Sequence, residues 1–148
     1  MRAVLAIFDV DHTLIRGDSL LMFAGYMIKN RGLRIGGIPL VAFSFFRWLL
    51  GSDEGQFKSD LLKMLCGGMR SDALRNAGCE FTRSVLMRRI YEEALEQIEW
   101  HKSRSHEVVL LSASPDVYLA ALAEHLQLNN LICTTLVDQQ GFCPGEIR

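Results

Sequence analysis

The sequence predicts an α/β fold: a parallel sheet whose first two strands are separated by a long helical insert. Three observations lead there. The runs Ala3–Phe8 and Val108–Leu111 are continuously apolar, rich in Val, Ile and Leu, and each ends in small polar residues. Short runs of that kind suit strands buried on both faces of a parallel sheet. Much of the sequence between them repeats its apolar positions every three to four residues, the period of a helix. A length of 148 residues suits one domain carrying an inserted subdomain. The expected division is residues 1–16 and 100–148 for the sheet unit and 17–99 for the insert.

Taken in order, the first strand is ended by the polar cluster Asp9-Val10-Asp11-His12-Thr13. Leu20–Ile28 is nearly all apolar, and Pro39–Leu50 is a second apolar segment, closed by Gly51 and Ser52-Asp53-Glu54-Gly55. From Ser71 onward, Leu74, Ala77, Phe81 and Val85, then Ile90, Ala94, Leu95 and Ile98, mark two amphipathic helices or one bent one, so the insert holds about four helices. The second strand follows the polar turn Ser103–His106 and stops at Ser112. Ser114 then offers an N-cap, Pro115 suits the first helical position and Asp116 favours the positive helix end, which predicts a helix to about Leu126. A third apolar stretch, Leu131–Val137, runs into the turn-like Asp138-Gln139-Gln140-Gly141.

Composition narrows the class. Apolar residues make up 49% of the chain and charged residues 22%, enough for a packed core and unlike a disordered protein. With 16 Lys+Arg against 17 Asp+Glu, the net charge of −1 creates no overall attraction to nucleic acid. Cys66, Cys79, Cys133 and Cys143 form no Cys-x-x-Cys pair and no His stands at zinc-site spacing, so reduced thiols are expected. Asp9 and Asp11 interrupt the first apolar run before a cleavable signal segment could form, and the expected compartment is the cytoplasm. Phe43, Phe45, Phe46 and Trp48 raise the question of membrane contact. Their segment falls short of the roughly 20 apolar residues of a span, and a core helix is favoured over a lipid-facing one. Oligomeric state is not legible.

The chemistry gathers at one sheet edge. Ligands of an open parallel sheet bind beyond the carboxyl ends of its strands, and there Asp9, Asp11 and Thr13 follow the first strand while Ser112 and Ser114 follow the second. Two carboxylates two residues apart on an extended exit share a face. A hard cation relieves their repulsion, and Mg²⁺ takes one or two carboxylates while leaving room for waters and a phosphate. Free N–H groups at the start of the following helix, with the Ser112 hydroxyl, make a small anion site beside it. A cation next to an anion pocket points to phosphoryl transfer, in which one aspartate attacks as nucleophile and a second carboxyl exchanges protons with the leaving alcohol and with water. The plainer reading, turn and cap roles for Asp9, Asp11 and Thr13, loses ground once Ser112 falls on the same edge.

Phe8-Asp9-Val10-Asp11-His12-Thr13-Leu14 resembles the Asp-x-Asp-x-Thr signature of the haloacid dehalogenase superfamily of phosphatases. Val109-Leu110-Leu111-Ser112-Ala113-Ser114 resembles its second motif, and the helical insert is similar to the cap of the phosphoserine-phosphatase-like branch. The resemblance implies a Rossmann-like core with an inserted α-helical cap. It implies that Asp9 is the nucleophile and a Mg²⁺ ligand, and that Asp11 is the general acid/base and offers its backbone carbonyl to the metal. Thr13 would orient Asp11, Ser112 and the Ala113 N–H would hold the phosphoryl group, and Asp18 matches a substrate-facing acidic position. The implied activity is Mg²⁺-dependent hydrolysis of a small phosphorylated metabolite through an aspartyl-phosphate. A catalytically incomplete phosphate-binding or interaction module with the same fold is the rival class.

The sequence departs from that pattern in four places. His12 stands where many members have Gly, and its side chain is expected to point away from the pocket. Met64 stands at the place of the cap Arg of phosphoserine phosphatases, beside Lys63, so a substrate other than free phosphoserine is expected. Arg148 fills the position of the third-motif Lys, a phosphate-binding role, and is the last residue. The fourth motif, a Gly-Asp segment with a further metal-binding Asp, does not occur, so a truncated member or fragment with an exposed sheet edge is expected.

Overall fold

The computed structural model describes residues 4–31, 42, 46 and 54–147. Arg148, and the helix expected over Pro39–Leu50 apart from Ala42 and Phe46, lie outside the described residues. In chain order the elements are β1 (Leu5–Asp9), α1 (Ser19–Arg31), α2 (Glu54–Cys66), β2 (Met69–Arg70), α3 (Ser71–Ser84), a 3-10 turn (Leu86–Arg89), α4 (Glu92–Ser103), β3 (Glu107–Pro115), α5 (Asp116–His125), β4 (Asn130–Thr134) and β5 (Phe142–Cys143). The two helices expected after Ser71 are thus α3 and α4, and the break between them is the 3-10 turn.

Strands β1, β3 and β4 form a parallel sheet in the order β1-β3-β4. Leu5 pairs with Glu107 and Asp9 with Leu111, while Leu111 also pairs with Ile132. The chain is therefore an α/β protein, as its apolar runs predict. Burial of β1 on both faces is not what the structure shows. Ala6 is buried, but Leu5 and Ile7 are 55% and 58% exposed, and Leu111 and Ile132 extend the same apolar face. Opposed residues share a face of the sheet, and the described helices leave this one open.

The insert and the sheet unit share one core. Helix α3 buries Leu74, Ala77, Gly78, Phe81 and Thr82 on a single face, as a 3.6-residue period requires, and packs that face on α5. Phe23 of α1, Phe81 of α3 and Tyr118 of α5 meet in a triangle with centroids 5.0–5.2 Å apart and inclined rings. Each such pair contributes about 0.5–1.5 kcal/mol beyond its area. Gly78 permits the α3–α5 approach, since a Cβ there would lie 1.9 Å from the Val117 carbonyl oxygen.

Two details differ from the sequence expectation. Helix α5 starts at Asp116 with Pro115 as N-cap and no side-chain cap bond, so Ser114 is not the cap. The third apolar stretch is a strand only to Thr134, and Phe142–Cys143 returns to pair antiparallel with Met69–Arg70, joining the end of α2 to the segment after β4. The expected turn is present, with Gly141 N–H donating to Asp138 Oδ1 at 2.8 Å. The four cysteines are free thiols. Among the described residues no helix is long and apolar enough to cross a membrane.

Candidate active site

Strand β1 ends on Asp9, and the chain then coils tightly: the N–H groups of Leu14 and Ile15 both donate to the Val10 carbonyl at 3.0 Å. The coil forces His12 to φ 59°, the left-handed region that glycine enters most easily. Its side chain is exposed. Asp9 is exposed at the strand end, and its Oδ2 accepts from the Thr13 hydroxyl at 2.9 Å. Thr13 therefore orients Asp9 rather than Asp11, because the coil carries its hydroxyl back toward the strand terminus.

Asp11 is held from elsewhere. Its Oδ1 accepts from the Ser19 backbone N–H at 2.7 Å, and its Oδ2 accepts from the Ser114 hydroxyl, also at 2.7 Å. Ser19 opens α1 and Ser114 lies 103 residues further on than Asp11, at the end of β3, so the bond joins the exits of two adjacent parallel strands. Ser112 is buried, and its Oγ accepts from the Ser114 N–H at 3.1 Å, which leaves its hydroxyl proton to donate. Ala113 is exposed between them, with its carbonyl accepting from Thr134 Oγ1 at 2.9 Å. Asp18 Oδ1 accepts from the Leu21 N–H at 2.9 Å, which makes Asp18 the N-cap of α1. Burial raises the Asp116 carboxyl above the ordinary value of 3.8, and its Oδ1 accepts from the Leu136 N–H at 3.1 Å.

A cavity of about 230 Å³ adjoins Ala113. Leu20, Gly55, Lys58 and Leu62 line it from α1 and α2; Ala113, Pro115, Thr134 and Ile147 line it from the sheet side. A larger cavity of about 380 Å³ lies between α3 and α5 and touches none of Asp9, Asp11 or Ser112. Lys58 stands four residues before Leu62, on the same face of α2, and lines the smaller cavity with it. Met64 is half-buried against the core and does not line the smaller cavity.

The profile of the haloacid dehalogenase-like hydrolases matches residues 6–148. The chain belongs to this family. As a haloacid dehalogenase-like hydrolase, it is 26% identical over 146 residues to a Mycobacterium tuberculosis protein named a probable phosphatase, covering 96% of this chain and 50% of that one. It spans about half the length of the curated relatives it matches. Its fold superposes with a TM-score of 0.85 on a Bordetella pertussis protein of unknown function, at 22% identity, covering 100% of this chain and 67% of that one. A phosphoserine phosphatase solved as a phospho-aspartyl intermediate analogue superposes at 0.62, with 19% identity, covering 100% of this chain and 64% of that one.

In this haloacid dehalogenase-like hydrolase the donors beyond β1 are hard oxygens, the type Mg²⁺ prefers. Asp9 offers an exposed carboxylate; both side-chain oxygens of Asp11 accept hydrogen bonds from Ser19 and Ser114, and its backbone carbonyl is a further hard oxygen on the same turn. Among the described residues no three of His, Cys, Asp and Glu gather as a ligand cluster. Such a donor set suits a cation that keeps several waters.

Proposed function

We propose that the chain carries the phosphoryl-transfer centre of a phosphomonoesterase acting on a small phosphorylated metabolite. The observation that carries this reading is the 2.7 Å hydrogen bond from Ser114 to Asp11, which joins the Asp9–Asp11 turn to the Ser112 turn at one sheet edge. Ser112 Oγ and the Ala113 N–H hold the phosphoryl oxygens, and Arg148 adds a cation to them. Asp9, oriented by Thr13, attacks phosphorus; the ester P–O bond breaks as the aspartyl-phosphate forms, and Asp11 gives its proton to the departing alkoxide. Asp11 then takes a proton from water, whose oxygen attacks phosphorus and releases phosphate and the Asp9 carboxylate.

Asp9 and the Asp11 carbonyl would hold Mg²⁺, which when bound neutralises phosphoryl charge and organises the oxygens around it. Residues 17–99 act as a cap over residues 1–16 and 100–148. Asp18 at the cap entrance faces the substrate with the oxygen its helix-capping bond leaves over. The cavity beside Ala113, apolar except for Lys58 and Thr134, receives the non-phosphate part of the substrate. The test is Mg²⁺-dependent phosphatase turnover by the protein as its gene encodes it, beside Asp9→Asn. The substitution removes the nucleophile, and turnover is expected to vanish together with any acid-stable, hydroxylamine-labile phosphoenzyme. Unchanged turnover in Asp9→Asn refutes the assignment.

A further inference from the structure

Ser114 does not cap α5, and its buried hydroxyl has a different set of partners. It donates to Asp11 Oδ2 at 2.7 Å and accepts from the Ser19 hydroxyl at 2.9 Å, while Ser19 Oγ lies 3.1 Å from the Tyr118 phenol. All three side chains are buried, Ser19 and Tyr118 completely. Each hydroxyl owns a single proton. Asp11 Oδ2 accepts the one Ser114 proton, so Ser19 spends its own on Ser114, and Tyr118 must donate to Ser19. Burial holds the phenol firmly in its protonated, donating form. The direction of every bond is thereby set by the accepting Asp11 oxygen at the end.

We propose that Ser114, Ser19 and Tyr118 form a one-way hydroxyl chain that positions the Asp11 carboxyl for proton delivery to the leaving group. The chain begins in α5, passes through the first residue of α1 and ends at the turn after β1. With the Ser19 N–H on Oδ1, it pins both carboxyl oxygens. A side chain without such anchors samples several rotamers, only some of which face the leaving oxygen. Ser114, Ser19 and Tyr118 are positioning residues; none of them meets the substrate. This inference rests on the phosphatase reading above.

Leaving-group dependence separates positioning from general damage. An alkyl phosphate needs a proton on its departing oxygen, while 2,4-dinitrophenolate departs without one. In the protein as its gene encodes it, Ser114→Ala is expected to lower kcat/KM for an alkyl phosphate by about tenfold to a hundredfold, the range of an impaired general acid. For 2,4-dinitrophenyl phosphate the same variant should stay within about threefold of wild type. Ser114→Thr keeps the hydroxyl and should restore the alkyl phosphate rate. Tyr118→Phe removes only the far end of the chain and should show the same selectivity at smaller size. It also serves as the readout if Ser114→Ala does not fold by circular dichroism. Equal losses on both substrates, or no loss on either, overturn the positioning role while the phosphatase reading stands. A wild-type protein without Asp9-dependent turnover overturns that reading, and this one with it.

Discussion

Replacing Gly78 by Ala should destabilise the protein, although the same change in an exposed helix normally stabilises it. Helix propensity alone favours Ala over Gly by about 1 kcal/mol. At Gly78 the new Cβ would sit 1.9 Å from the Val117 carbonyl oxygen, and real Cβ contacts stay beyond 3.0 Å. Helices α3 and α5 must therefore part by roughly 1 Å, and the atom met is backbone, so no rotamer change relieves it. Overpacking of this kind costs about 1–3 kcal/mol, with a rigid backbone contact at the upper end. Separation also stretches the 2.9 Å bond from Thr82 Oγ1 to the Tyr118 carbonyl, a further loss of about 1 kcal/mol. Against the propensity gain, the net destabilisation is about 3 kcal/mol, a fall in Tm on the order of 10 °C.

Gly25 supplies the control. It lies exposed in α1, and among the described residues a Cβ there meets nothing within 4 Å. Gly25→Ala should raise stability by about 0.5–1 kcal/mol. Urea unfolding followed by circular dichroism measures both variants. A Gly78→Ala protein as stable as wild type, or stabilised as Gly25→Ala is expected to be, would refute the α3–α5 contact that positions Tyr118.

Three further outcomes follow from the geometry. Asp116 has a raised folded-state carboxyl, so the native state holds that proton more tightly than the unfolded chain, and stability is lost as pH rises from the ordinary 3.8 through the raised value. Asp116→Asn keeps an acceptor for Leu136 N–H, so its stability relative to wild type should climb across that window and level off above it; a pH-independent difference in chemical denaturation contradicts this. On a substrate panel, a phosphomonoester with an apolar portion should exceed free phosphoserine in kcat/KM, because Leu20, Leu62 and Ile147 line the cavity beside Ala113 and Met64 does not reach it; phosphoserine as best substrate contradicts it. Burial pushes the Cys133 thiol up to about 11, so at pH 8 it should react with iodoacetamide about a hundredfold more slowly than a free thiol; peptide mass spectrometry showing rapid labelling of Cys133 counts against the placement of β4.

The local patterns were legible in the residues themselves. Apolar runs ending in Asp9 and Ser112 marked two strand exits, and the three-to-four-residue spacing of Leu74, Ala77 and Phe81 marked α3, because strand and helix geometry repeat over a few neighbours. The family resemblance came from the same short strings. What the sequence could not determine was which distant groups meet. A Ser-Pro-Asp string reads as a helix cap by local rules, yet Ser114 donates to Asp11 and accepts from Ser19, and the cap position falls one residue on, at Pro115. Thr13 serves Asp9 rather than Asp11 because the coil of residues 10–15 reverses the chain. The Phe23–Phe81–Tyr118 triangle, the Gly78 contact and the open Leu5–Ile7 face depend on how separate elements dock. Docking is settled by shape and by the partners of buried polar groups, quantities that belong to pairs of residues far apart in the chain and that no single stretch of it contains.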